Sequence, residues 1–227
     1  AERFLVQQML PSVLTVPMPK EPSLFVNTLL NLNELEVLNV TPEDKKRKEF
    51  YRAEIKRKKL KTEKTDLKSF LKALKISVEI KRVDGFAIPR IAQLIQRTNQ
   101  FNLTTKRYSE NDIRSFKQSD DYDVYYLKSS DKFGDNGIVG VAITKREPSK
   151  WEIDSFLLSC RVLGRNIEQA FLHYILQKAL EHNIESLYAE YKPTAKNKIV
   201  ENFFPNNGFS VLESDGDNVR YIIKKSG

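Results

Sequence analysis

Residues 151–171 read WEIDSFLLSCRVLGRNIEQAF: an alternating apolar strand runs through Arg161-x-x-Gly164 into a long amphipathic helix. Such a corner favours an anion, because the first amides of a helix lack intrahelical partners and the macrodipole adds partial positive charge there. Arg161 supplies a fixed cation, Gly164 lets backbone approach closely, and the amides of Arg165, Asn166 and Ile167 would lie over the bound group. An ordinary strand-turn-helix corner has the same local pattern, so the order of the surrounding elements decides between the two.

Alternation begins at Ile76, in SVEIKRV. From there the pattern predicts strand 76–83, helices 89–98 and 109–117, strands 122–130, 137–147 and 151–160, helix 165–182, strand 186–191, helix 195–204, and strands 209–213 and 218–224. Asp135-Asn136-Gly137 suits a hairpin between the second and third strands, and Asp215 to Asn218 suits the last one. Upstream, Glu2 to Leu10 reads as helix, Val13 to Val16 as a short strand, and Pro22 or Ser23 to Leu32 as helix. One strand cannot make a stable sheet, so this αβα piece reads as the tail of another domain. In Asp44 to Lys64 the lysines and arginines alternate with Glu49 and Glu54 at helical spacing, the pattern of a solvated helix or linker; a helix from Thr65 to Leu74 follows. The expected division is therefore 1–40, 41–75 and 76–227.

Composition narrows the function classes. The 227 residues carry a formal charge of +8, which points to an acidic partner. The basic run has only Phe50 and Tyr51 as aromatics and accompanies no nucleic-acid fold signature, so nucleic acid is not the expected partner. No apolar run approaches membrane-spanning length and no signal peptide is legible, so the expected setting is cytoplasmic. Cys160 is the only cysteine, and His173 and His182 are the only histidines; no metal site is expected from them.

The strand running through Arg-x-x-Gly into a long helix, then a strand and a short helix, resembles the GNAT acyltransferase fold over residues 76–225. Asn197 to Phe204 followed by Asn207-Gly208-Phe209 resembles that family's late helix with its Asn start and Gly-Phe end. The resemblance implies an α/β (α+β) fold with a mixed central sheet, in which pantetheine of CoA or of a carrier protein runs beside Phe156 and Leu158. Its pyrophosphate would rest on Arg161 to Ile167, with Asn197 near the arm. Two positions depart from the family: Asn166 stands where Gly or Ala is usual, and Phe204 stands where Tyr is usual. Phe204 has no proton to give a departing thiolate, so common amine acetylation is in question.

Longer phrases, PRIAQLIQRTNQFNLTTKRYSENDI, DKFGDNGIVGVAI, WEIDSFLLSCRVLGR and EYKPTAKN, resemble the C-terminal half of FkbH-like proteins. These join a HAD-type phosphatase domain to a GNAT-like domain and are associated with loading a glyceryl unit from 1,3-bisphosphoglycerate onto an acyl carrier protein in polyketide-type biosynthesis. Asp121-Tyr122-Asp123 has the spacing of the HAD nucleophile motif but begins a strand, and reads as a turn. The resemblance thus implies that residues 1–40 are a HAD remnant, and that Mg2+ and the phosphorylated donor belong to a HAD part this chain lacks.

Within that reading Cys160 could carry a glyceryl thioester, with Arg161 placing a cation beside it; a buried structural cysteine is the alternative. Asp154 is the candidate base, ahead of Glu152. Both alternate in phase with Phe156, Leu158 and Cys160 unless a bulge shifts the strand. Arg97 and Asn99 are the candidate acceptor-side residues, with a helix C-cap as their plain alternative. Three functions stay open: the GNAT-like part of a glyceryl-loading protein, a stand-alone CoA-dependent N-acetyltransferase, and a non-catalytic docking module for an acidic carrier protein.

Overall fold

The computed structural model describes residues 2–9, 14–32 and 47–224. The chain forms two compact units, Ala1–Lys45 and Lys46–Gly227. The first contains helix α1 (Glu2–Met9) and a 3-10 turn, Pro22–Leu24, that leads into helix α2 (Phe25–Leu30). Residues 14–16 are irregular where a strand was expected, and Val13 lies outside the described residues. Among the described side chains of this unit none is buried, and Leu5, Met9, Val26 and Leu30 are exposed.

The second unit opens with helices α3 (Arg47–Thr62) and α4 (Leu67–Leu74), then strand β1 (Ser77–Arg82) and helix α5 (Ile88–Arg97). A two-residue strand β2 (Phe101–Asn102) precedes helix α6 (Glu110–Gln118), whose start is fixed by a capping box between Ser109 and Asp112. Then come β3 (Tyr122–Asp131), β4 (Gly134–Arg146), β5 (Lys150–Leu158), helix α7 (Ile167–Glu181), β6 (Ser186–Tyr191), β7 (Ser210–Asp215) and β8 (Asn218–Lys224). The sheet order is β1-β3-β4-β5-β6-β8-β7, with β2 set beside β5 off this path. Every neighbouring pair is antiparallel except β5 and β6, which makes the sheet mixed.

Each face of the sheet carries its own core. One gathers Trp151, Ile153, Phe156 and Leu158 of β5 with Phe171, Leu172 and Ile175 of α7. The other gathers Leu157 with Ile88, Ile91 and Ile95 of α5 and Ile113 of α6. Spacing of three and four along α5 and α7 turns one apolar stripe of each helix onto the sheet.

Two expected features of this second unit differ. The β3–β4 turn falls at Lys132-Phe133, because Asp131 pairs with Gly134; Asp135 to Gly137 lie within β4, where the register slips. The helix expected over 195–204 is replaced by 3-10 turns at Lys198–Val200 and Pro205–Asn207. Pro193 and Pro205 bracket that stretch, and Pro205 has no amide to carry a helical ladder onward.

The charged helix α3 is solvated on one side only. Ala53, Arg57 and Leu60 recur at spacings of four and three and are buried, while Lys56, Lys58, Lys59 and Lys61 are exposed. Arg57 grips Asp131 of β3 with two parallel bonds, Nε to Oδ2 at 2.7 Å and Nη2 to Oδ1 at 3.0 Å. Their side chains are 4% and 1% exposed, so the charges depend on each other for solvation. Arg57→Ala takes the two shortest charged bonds from buried Asp131, which keeps Arg165 at 3.5 Å, and is expected to lower the unfolding free energy by about 2–4 kcal/mol, against under about 0.5 kcal/mol for exposed Lys58→Ala. Urea denaturation of the two variants checks the difference.

Candidate functional site

The site begins with one surplus residue. Opposite β4, Ile143 pairs with Ser155 and Thr144 with Ile153, leaving Asp154 as a β-bulge in β5. A bulge bends its strand and ends regular pairing. The parallel ladder with β6 accordingly runs only from Lys150–Ser186 to Ile153–Ala189 and stops there. The bulge also breaks the phase: Trp151 and Ile153 share a core with Phe156 and Leu158, so Glu152 does not share their face as unbroken pleating would have placed it.

Below the bulge, β5 finds a different neighbour. Phe101 and Asn102 of β2 pair with Leu158 and Leu157, and the Leu103 amide donates to the Phe156 carbonyl at 3.2 Å. The Lys192 amide, just past β6, donates to the Leu103 carbonyl at 2.8 Å, so residues 101–103 bridge the two diverging strands. Asn197, wholly buried, clamps this bridge. Its Nδ2 donates to the carbonyls of Asn102 and Lys192, both at 2.9 Å, and its Oδ1 accepts from the Thr194 amide at 2.7 Å and hydroxyl at 3.0 Å. Phe101 stacks edge-on against Phe203 with ring centroids 5.0 Å apart. Phe156 and Leu158, expected beside a pantetheine arm, are wholly buried in the core shared with α7.

The corner after β5 is equally engaged with itself. Ser159 caps the 3-10 turn Cys160–Val162; Gly164 (φ 70°) and Asn166 (φ 60°) then take left-handed conformations before α7. Asparagine tolerates that region, which explains its fit where a small residue is usual. The Gly164 amide donates at 3.1 Å to Oε1 of Glu168, a buried side chain in the first turn of α7. Arg165 pairs with Glu54 at 3.3 Å and Asp131 at 3.5 Å, and burial holds its pKa below the usual arginine value. Arg161 lies 4.4 Å from the centroid of the Phe50 ring and donates from Nε to the Ser159 hydroxyl at 3.3 Å. Ile167 packs into the core.

These residues do not fit a CoA pyrophosphate and its arm. The strand edge is hydrogen-bonded to the chain itself, and a carboxylate stands on the loop amide. A phosphate brought within about 4 Å of Glu168 would meet roughly 4 kcal/mol of like-charge repulsion at an effective dielectric near 20.

The remaining candidates separate. Cys160 is exposed, on the turn that leaves β5. Asp154 has both carboxylate oxygens occupied: Oδ1 by Lys106 Nζ at 2.6 Å, Oδ2 by the Tyr108 hydroxyl at 2.9 Å and the Ser155 hydroxyl at 3.0 Å. Its own carbonyl accepts from the Thr104 hydroxyl at 3.0 Å. Asp154 thus fastens residues 104–108 to β5. Burial, then the Asp154 charge, holds the Tyr108 phenol proton well above the ordinary tyrosine range. Asn99 accepts from Arg107, which also donates to the carbonyls of Ile95 and Thr98 and closes the end of α5; Arg97 is exposed in the last turn of that helix. Phe204, in the position where tyrosine is usual, is buried among Phe203, Phe209 and Tyr221.

Lys106, Tyr108 and Glu168 were not singled out from sequence. The first two lie in the quoted phrase from Pro89 to Ile113, seven and nine residues after Asn99. Glu168 follows the Arg-x-x-Gly corner at the helix position where an acidic residue complements the dipole. Removing Asn197 takes the side-chain donor from the buried Asn102 carbonyl and from the Lys192 carbonyl, and the acceptor from the exposed Thr194. Asn197→Ala is expected to cost about 2–4 kcal/mol in urea unfolding, a loss that a residue serving only a bound cofactor would not show.

No family model and no curated protein matches this sequence. Solved structures do resemble it. The ribosomal-protein-S18-alanine N-acetyltransferase of Escherichia coli aligns at TM-score 0.52 and 15% identity, over 66% of this chain and 97% of that one. The GNAT domain of S. lividans PAT aligns at 0.51 and 18%, over 65% and 90%. Rv2747 of Mycobacterium tuberculosis, solved in complex with CoA, aligns at 0.52 and 14%, over 65% and 99%. At such identities the likeness defines the fold, and that fold, a mixed sheet flanked by helices with a bulged strand running into a helix corner, is the GNAT acetyltransferase fold.

Proposed function

We propose that the chain is the GNAT-like part of an FkbH-like protein, an acyltransferase that passes a glyceryl or related acyl unit to the thiol of an acidic acyl carrier protein. The observation that carries this reading is the exposed Cys160 on the turn leaving β5, with Arg161 next to it in sequence. The quoted phrases that resemble FkbH-like proteins support the choice of acyl unit and acceptor.

The chemistry is nucleophilic relay. The Cys160 thiolate attacks the acyl-phosphate carbonyl of a phosphorylated donor; a C–S bond forms, the C–O bond to phosphate breaks, and phosphate leaves. The carrier thiolate then attacks the resulting thioester from the solvent side, and the Cys160 thiolate leaves. In this reading residues 1–40 belong to the HAD-like domain that would present the donor with Mg2+, in the cytoplasm. Asp154, committed to Lys106, Tyr108 and Ser155, positions its loop in this scheme and does not serve as a free base.

A docking role has its own support. Arg52, Lys56, Lys58, Lys59 and Lys61 project from α3 into solvent and form a basic face for an acidic carrier. A stand-alone CoA-dependent N-acetyltransferase has the fold in its favour and the occupied strand edge and Phe204 against it.

Intact mass spectrometry tests the relay in the full-length protein that this reading implies, incubated with 1,3-bisphosphoglycerate and Mg2+. A glyceryl adduct is expected on wild type and absent from Cys160→Ala; an adduct that persists in the variant would remove Cys160 from the mechanism. Carrier binding is expected to weaken at least about tenfold between 0.05 and 0.5 M salt, because screening shortens the reach of the α3 charges. Calorimetry at the two salt concentrations measures it, and unchanged affinity rules out the electrostatic docking.

A further inference from the structure

Beyond that reading, we infer that residues 101–104 are a fixed strand built into the sheet, and that the cleft between β5 and β6 is closed to CoA. The GNAT resemblance assigns this cleft to the pantetheine arm; here the chain's own backbone lies in it.

Three observations carry the inference. The hydrogen-bonding edge of β5 is consumed, since Leu157 and Leu158 pair with β2 and the Phe156 carbonyl accepts the Leu103 amide. An arm that pairs with that edge would have to remove these partners first. The segment is also held from both sides: Asn197 and the Lys192 amide grip it from β6, while Asp154 grips Thr104, Lys106 and Tyr108 from β5. Phe101, Asn102 and Leu103 are 5%, 0% and 1% exposed, values of a core strand and not of a surface lid. Finally, the corner that would take the pyrophosphate holds the Glu168 carboxylate on its Gly164 amide, and Arg165 is turned onto Glu54 and Asp131.

Backbone strain agrees with a fixed strand. Thr105, β-branched, is held at φ 54° by the bonds on either side, its amide donating to Asn102 Oδ1 at 2.9 Å. A conformation so disfavoured for threonine persists only where its surroundings over-determine it. The consequence is a GNAT-type sheet whose acyl chemistry does not proceed by arm insertion; thiols and acyl donors would meet it from outside.

Titration of wild-type protein with CoA, followed by two-dimensional amide NMR, tests this. At millimolar CoA the amides of Leu103, Phe156, Leu157 and Lys192 are expected to keep their positions, whether no resonance moves or only surface resonances near the basic helix do. Saturable movement of those four amides overturns the inference. The Cys160 adduct is measured without CoA, so a failure of the relay and a failure of the closed cleft are told apart.

Discussion

The surplus residue at Asp154 is the constraint on which the rest depends. A regular β5 would pair with β6 along its whole length, and the sheet would have no cleft. The bulge ends that ladder after Ile153 and leaves the last residues of β5 without a strand partner on that side. Buried backbone groups must be satisfied, and residues 101–103 meet the need. Asn197 is the reciprocal device, since one side-chain amide ties β2 to the end of β6 and replaces the ladder that the bulge removed. Asp154 itself, pushed out of the ladder, becomes the anchor for the loop that follows the inserted strand.

A second, electrostatic constraint holds the corner after β5. Asp131 lies between Arg57 of α3 and Arg165 of the corner, and Glu54 reaches both arginines. Two guanidinium groups this close are tolerable only because two carboxylates share them. The arrangement commits the Arg165 guanidinium to Glu54 and Asp131 and makes α3 a strut for the loop next to Cys160. In the scheme we propose, the exposed cysteine, the basic helix face and the closed cleft would make this a GNAT-type domain that works at its surface.

Much of this was legible in the sequence where long periodic segments carried it. Strand β6 falls on the residues that alternation gave, and the corner at Arg161 to Ile167 was visible as a change of period from two to about 3.6. The inserted strand was not legible, because two residues cannot show a period; what marks it is long-range pairing with Leu157 and Leu158. The packed face of α3 was hidden because an arginine occupies its central position, and a buried guanidinium reads as solvent-facing until its carboxylate partner is known. Asn197 was found by resemblance, yet its bonds are structural. Phe203 and Phe204 lie in the turn between two short 3-10 turns and not on a helix, just ahead of Pro205, which has no amide for a helical ladder. Glu152 and Phe156 were to share a face only if pleating were unbroken, and the bulge between them breaks it.

Native-state hydrogen exchange at the Leu103 amide tests the central claim most directly. If residues 101–104 are a strand of the sheet, Leu103 opens only with global unfolding and exchanges as slowly as the best-protected amides of β4. Exchange about a hundredfold or more faster than those amides, through a local opening that leaves β4 protected, would show a displaceable lid and contradict the account.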